Sequence, residues 1–123
     1  MDIARTSVGG VEVVAISGRV SGAEAPRLTA EFQVIRTAAS ADRPSRVVLD
    51  VTTLDNLPSA AVGSLVEAIR ALEAVGGRLV LAAPNHAISV VLDRLGIGQL
   101  VTSYESADAA VRALSAPDAT QGP

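Results

Sequence analysis

Two short, mostly apolar runs, expected as central strands over Val47–Val51 and Leu79–Ala82, constrain this chain most. Each is long enough for a strand and too short for a helix. Neither alternates apolar with polar residues, as a strand with one wet face would. Such runs fit strands covered on both faces, which is the environment of a parallel sheet flanked by helices. The segment between them supports that reading. Val62, Leu65, Ile69 and Leu72 fall at helical spacing, and Gly76-Gly77 follows as a C-terminal stop.

The rest of the chain extends the alternation. Ile3–Thr6 and Val11–Ser17 read as strands, joined through Val8-Gly9-Gly10 as an antiparallel hairpin. Pro26 suits a helix start, and Leu28, Phe32, Ile35 and Ala39 mark one helical face. Residues 40–45 form a polar break. Pro84-Asn85 opens a third helix with Ile88, Val91, Leu92 and Leu95 on its apolar side, stopped at Gly96. Leu100-Val101 is the expected last strand. Ser106 precedes a final helix carrying Ala107, Ala110, Val111 and Leu114. The expected order is β-β-α-β-α-β-α-β-α. That is an α/β fold: a mixed, mostly parallel β-sheet with an N-terminal hairpin and about four helices. A single domain over residues 1–114 is expected. The small, polar stretch 115–123 is expected to be a disordered tail.

Composition narrows the function classes. With 123 residues and 49% hydrophobic content, the chain has material for one core. There is no cysteine, so disulfides and thiol catalysis are excluded, and a single histidine leaves little for a transition-metal site. The net charge is −3, the ten basic residues are scattered, and aromatics are 2%, which argues against nucleic acid as a partner. No window has the unbroken apolar length of a membrane span. The start, Met1-Asp2-Ile3-Ala4-Arg5-Thr6, lacks the basic-then-apolar pattern of a secretory leader, so a cytoplasmic location is expected.

No catalytic constellation emerges. Asp50 ends a strand, where bonding to loop amides is its expected role, and Asp55-Asn56 are turn formers. Neither Asp50 nor Asp55 has a partner carboxylate at a spacing that suits acid–base work. His86, at a helix start, has no second ligand near it and reads as a surface or capping residue. Gly96-Ile97-Gly98 follows a helix, where a dinucleotide loop must follow a strand. No enzymatic activity, no metal and no cofactor are expected.

Three junctions carry a family resemblance. Gly18-Arg19-Val20-Ser21, Val47-Val48-Leu49-Asp50-Val51-Thr52 and Gly76-Gly77-Arg78-Leu79-Val80-Leu81 resemble, in this order, three junctions of the STAS domain, the fold of bacterial anti-sigma factor antagonists. The likeness runs from about Val11 to Leu114. That family's signature, Asp-Ser-Ser/Thr-Gly-Leu-Gly at the second helix, falls here on Pro58-Ser59-Ala60-Ala61-Val62-Gly63. The resemblance implies a phosphoacceptor serine or threonine here. The position the partner kinase often modifies is Ala60, and Ser59 is the one hydroxyl left within the signature. Pro58 replaces the aspartate, so control by phosphate is expected to be weak or absent. Ser59 is also the expected helix N-cap, its hydroxyl accepting from the amide of Ala61 or Val62.

What the resemblance implies is a non-catalytic binding module that sequesters a serine-kinase-type anti-sigma factor and so frees a sigma factor for transcription. The implied partner-binding set is Arg19, Val20, Ser21, Asn56, Leu57, Pro58, Ser59, Ala60, Ala61 and Val62. Small side chains at Ala60, Ala61 and Gly63 would admit a partner's backbone. A monomer or weak dimer is expected, with no membrane insertion. Alternatives within the same resemblance are a subunit of an ABC-type lipid transport system, which can carry Ser-Ala as Ser59-Ala60 does, and a scaffold in a stress-signalling assembly. A small-ligand binder using the crevice at the strand ends is a further class, without specific residues to support it.

Overall fold

A computed structural model describes residues 1–39 and 45–115. All of the polar break at 40–45 except Ser45, and the tail from 116 onward, lie outside the described residues. The elements are β1 (Asp2–Val8), β2 (Val11–Ser17), α1 (Ala25–Thr37), β3 (Arg46–Asp50), α2 (Ser59–Ala74), β4 (Arg78–Ala82), α3 (His86–Arg94), β5 (Ser103–Tyr104) and α4 (Ala107–Ser115). The final helix thus reaches Ser115, one residue into the expected tail.

The sheet runs β1-β2-β3-β4-β5. The first pair is antiparallel, with seven consecutive partners from Asp2↔Ser17 to Val8↔Val11. The other three pairs are parallel. Gly9 and Gly10 both have positive φ, 57° and 84°, as a two-residue hairpin turn of the twist-compatible type requires. The two apolar runs are neighbouring strands inside the sheet, with Val47 opposite Leu79 and Leu49 opposite Leu81.

Alternate residues of these strands feed two cores. Val47, Leu49, Leu79 and Leu81 join the larger one with Leu28, Phe32 and Ile35 of α1, Leu65, Ile69 and Leu72 of α2, and Ile88 and Leu92 of α3. Val48, Val80 and Ala82 join the smaller one with Val11 and Val13 of β2, covered by Ala110 and Leu114 of α4 and, more peripherally, by Ala107 and Val111. The sheet is therefore wet on neither side at its centre, which is why the runs show no polar alternation. With strands added in simple succession, same-handed crossovers keep α1, α2 and α3 on one face.

Three local expectations need correction. The last strand is Ser103–Tyr104, not Leu100-Val101. The Leu100 amide donates to Ile97 in a turn, and pairing with β4 begins where the Leu81 amide meets the Thr102 carbonyl at 2.9 Å. Val101 is buried, but as a plug into the larger core. Leu95 is 46% exposed: α3 ends at Arg94, and the cap geometry carries Leu95 off the apolar face. Helix α1 ends at Thr37, so Ala39 packs against the core from beyond the helix.

Candidate functional site

At the carboxyl end of the sheet, two loops are joined into one surface. The β2–α1 loop begins at Gly18 and the β3–α2 loop runs from Val51 to Pro58. Gly18 and Leu54 form an isolated parallel bridge. The Gly18 amide donates to the Thr53 carbonyl at 3.0 Å, and the Asp55 amide donates to the Gly18 carbonyl at 2.9 Å. One residue on, Arg19 Nε sits 3.2 Å from Asp55 Oδ2. Next, the Val20 amide donates to Asn56 Oδ1 at 3.3 Å. Three successive residues of one loop thus register with three of the other. The Arg19–Asp55 pair is solvent-exposed and adds at most about 1 kcal/mol. The backbone bridge does the joining.

Neighbouring groups hold this arrangement. Asp50 accepts from the amide and hydroxyl of Thr52, which turns the chain out of β3. Val51 and Leu54 are buried and anchor the loop from below. Asn85 does two things at once. Its Oδ1 accepts from the Ile88 amide and caps α3, and its Nδ2 donates to the Leu54 carbonyl at 2.8 Å. The cap was foreseeable from Pro84-Asn85 before an apolar stripe; the reach to Leu54 carried no sequence signal. Nor did the backbone at Ala83, which has φ 55°, a left-handed value uncommon outside glycine.

On the other loop, the Ser21 carbonyl accepts from the amides of Glu24 and Ala25. The Glu24 carboxylate lies 3.4 Å from the amide and hydroxyl of Ser21 and 2.8 Å from the chain's terminal ammonium. The ammonium first, and then the Ser21 amide, hold the Glu24 carboxyl below the usual carboxylate range. The N-cap of α1 is Glu24, with no side-chain bond to a helix amide, so Ser21 shapes the turn without capping the helix.

Helix α2 starts where the two loops meet. Its N-cap is Pro58, at φ −63° and ψ 137°, and Ser59 is the first helical residue. The expected Ser59 cap is therefore absent. Proline has no side-chain acceptor, and Ser59 stands one residue too late to reach the amides above it. The Pro58 carbonyl takes the Ala61 amide at 3.0 Å instead. The Ser59 side chain is exposed and makes no capping bond.

The ten residues expected to bind a partner divide by burial. Arg19, Ser21, Asn56, Ser59 and Ala60 are exposed, and Pro58 is half-buried. Val20, Leu57, Ala61 and Val62 are buried in the larger core. As contact residues those four are a correction. Leu57, Ala61 and Val62 lie on the inner side of the α2 start, and Val20 plugs the loop beneath Arg19. The small exposed positions are accordingly Ala60 and Gly63, not Ala61. A Cβ built on Gly63 meets nothing within 4 Å. Asp55 belongs to the exposed face with Arg19. His86, the first residue of α3, is exposed. Among the described residues, no cluster of three His, Asp or Glu side chains is placed to hold a metal ion, and no helix is long and apolar enough to cross a membrane.

Comparison with known proteins agrees with this architecture. The family model for the STAS domain matches residues 2–110. No curated protein sequence matches the chain. Among solved structures, a STAS anti-sigma-factor antagonist domain protein from Planctomyces limnophilus superposes with a TM-score of 0.77 at 19% identity, covering 91% of this chain and 96% of that one. The unphosphorylated anti-sigma factor antagonist SpoIIAA gives 0.69 at 19% identity, over 90% and 95%. A serine-to-glutamate variant of RsbS from Moorella thermoacetica gives 0.71 at 18% identity, over 93% and 95%.

Proposed function

The chain belongs to the STAS domain family, and on that premise we propose that it is a non-catalytic regulatory module of the anti-sigma factor antagonist type. Its partner is a serine-kinase-type anti-sigma factor in the cytoplasm. Binding sequesters that partner and frees a sigma factor. Residues 1–114 act as one unit in this role. The face used is the joined loop surface: Arg19, Ser21, Asp55, Asn56, Pro58, Ser59, Ala60 and Gly63.

The observation that carries the reading is Gly63. A glycine inside a helix costs about 1 kcal/mol relative to alanine. Here nothing inside the domain requires it, because a methyl group would point into open space. Close approach by an outside surface explains such a residue. It stands one turn beyond the exposed Ser59-Ala60 start. Structures of relatives named as anti-sigma factor antagonists support the same reading through the shared fold.

Ser59 is the residue on which regulation would fall. A phosphate there adds about −1.5 to −2 charges at a helix start, which the domain itself tolerates, so the effect is felt by the partner. With Ala60 beside it and Pro58 in place of an acid, this control is weak or absent. The test is calorimetric titration of the chain with a serine-kinase-type anti-sigma factor from the same source. Ser59→Glu is expected to weaken binding about tenfold or more. Unchanged affinity in that variant moves the interface elsewhere. The exposed Ser59-Ala60 pair is also similar to STAS subunits of lipid-transporting ABC systems. Binding to such a system's ATPase, and not to the kinase, would favour that role.

A further inference from the structure

The two edges of the sheet are unlike. β5 is two residues long, while β1 is seven, and its seven consecutive pairs with β2 are unbroken by any bulge. Sheet edges are usually blunted by shortness, proline, outward lysine, bulges or a covering segment. Asp2–Val8 contains no proline and no lysine. Its one central charge, Arg5, is drawn to the α1 face, where Glu12 and Glu31 hold it. Among the described elements, β2 is the only one with which β1 has extended contact.

We propose that β1 pairs with β1 of a second copy, antiparallel across a two-fold axis, to form a continuous ten-strand sheet. The backbone allows it. A two-residue turn hydrogen-bonds its flanking pair, here Val8 and Val11. Alternation along an antiparallel strand then points the amides and carbonyls of Val8, Thr6 and Ala4 toward β2, and those of Ser7, Arg5 and Ile3 outward. A two-fold axis normal to the sheet keeps each residue on its own face, so opposed residues must share parity.

The side chains select the register. With Arg5 on the axis, two arginines would face each other. With Ala4 on the axis, Asp2 would oppose Thr6 and Val8 would stay uncovered. With Thr6 on the axis, Arg5 opposes Ser7 of the second copy, Ala4 opposes Val8, and no like charges meet. Opposed threonines are a favourable cross-strand pair. Val8, 48% exposed, gains an apolar neighbour. It lies at the rim of an open groove of about 450 Å³ between the hairpin and α4, lined also by Val13, Ala107 and Val111. The pairing spans five residues of each chain, so the dimer is weak, with Kd of roughly 10–500 µM. The loop face adjoins Met1 at the start of β1, whereas the paired residues Ala4–Val8 run toward the opposite end of the strand, so two copies would present two partner surfaces. The proposal does not depend on the function proposed above.

Sedimentation velocity over 10 µM to 1 mM tests it on the full chain. A reversible monomer–dimer equilibrium is expected. Ser7→Pro removes an outward amide and leaves the β2 ladder intact, and Thr6→Lys opposes two cations on the axis. Each should weaken dimerisation at least tenfold without changing the circular dichroism spectrum. The chain has no cysteine, so Thr6→Cys supplies one thiol per chain, on the axis. Mild oxidation should link it into dimers, because non-hydrogen-bonded pairs bring Cα atoms to about 4.5 Å. Arg5→Cys, off the axis, should link far less. A chain monomeric at 1 mM overturns the proposal, as does a dimer unaffected by both Ser7→Pro and Thr6→Lys.

Discussion

Helix α2 has two ends that obey different rules. At its carboxyl end, Gly76 has φ 86° and its amide donates to the Glu73 carbonyl, while the Gly77 amide reaches Leu72 at 2.7 Å. A Cβ on Gly77 would collide with the Ser45 carbonyl and come within 3.0 Å of the Ser45 amide nitrogen. Gly76 answers there to the backbone turn and Gly77 to internal packing. At the amino end, no side chain caps the helix, Ser59 and Ala60 face solvent, and Gly63 has open space about it. Sequence economy that internal packing explains at one end is unexplained at the other. A glycine demanded from inside marks a folding constraint. At Gly63 no such internal demand exists, which is what the proposed partner face would account for.

That contrast can be broken by substitution. The largest effect is expected from Gly77→Ala. Backbone, not a flexible side chain, stands in the way, so the cost should be about 2–3 kcal/mol, toward the top of the overpacking range, measured by urea unfolding. Asn85→Ala removes the α3 cap and leaves the Leu54 carbonyl without its side-chain donor. A loss of roughly 1–2 kcal/mol is expected, together with weaker partner binding as the loop seam loosens. Gly63→Ala should have the opposite sign from Gly77→Ala. It should raise stability by about 0.8–1 kcal/mol through helix propensity while weakening partner binding. A destabilised Gly63→Ala protein would erase the distinction between the two ends. Ser59→Ala should change stability least, by under about 0.5 kcal/mol, because no capping bond is lost. A larger loss in thermal unfolding would mean that Ser59 does cap the helix in solution.

Much of the fold could be read from spacing. The runs at Val47 and Leu79, the stripe from Val62 to Leu72 and the Gly-Gly hairpin each state a local geometry that needs no distant information. The misreadings fell where two local readings compete. Leu100-Val101 has the apolar look of a strand, yet the turn closed by Ile97 places pairing two residues later. Leu95 continues α3's spacing, but the helix stops before it. The proposed binding face was legible only as a span of chain. Resemblance pointed to Arg19–Ser21 and Asn56–Val62 without distinguishing the exposed members from Val20, Leu57, Ala61 and Val62, which carry the same span into the core.

By itself the sequence determined the element order, the doubly covered strands and the absence of thiol chemistry, since these rest on periodicity and residue type. Tertiary structure alone decided the rest. It set Gly18 against Leu54 and Asn85 against the Leu54 carbonyl, bonds between residues 36 and 31 positions apart. It made Pro58 the α2 cap, left Gly63 bare, and left β1 an open edge among the described residues. Such features depend on which backbone groups meet after the crossovers have packed, and no local pattern of side chains encodes a meeting between distant loops.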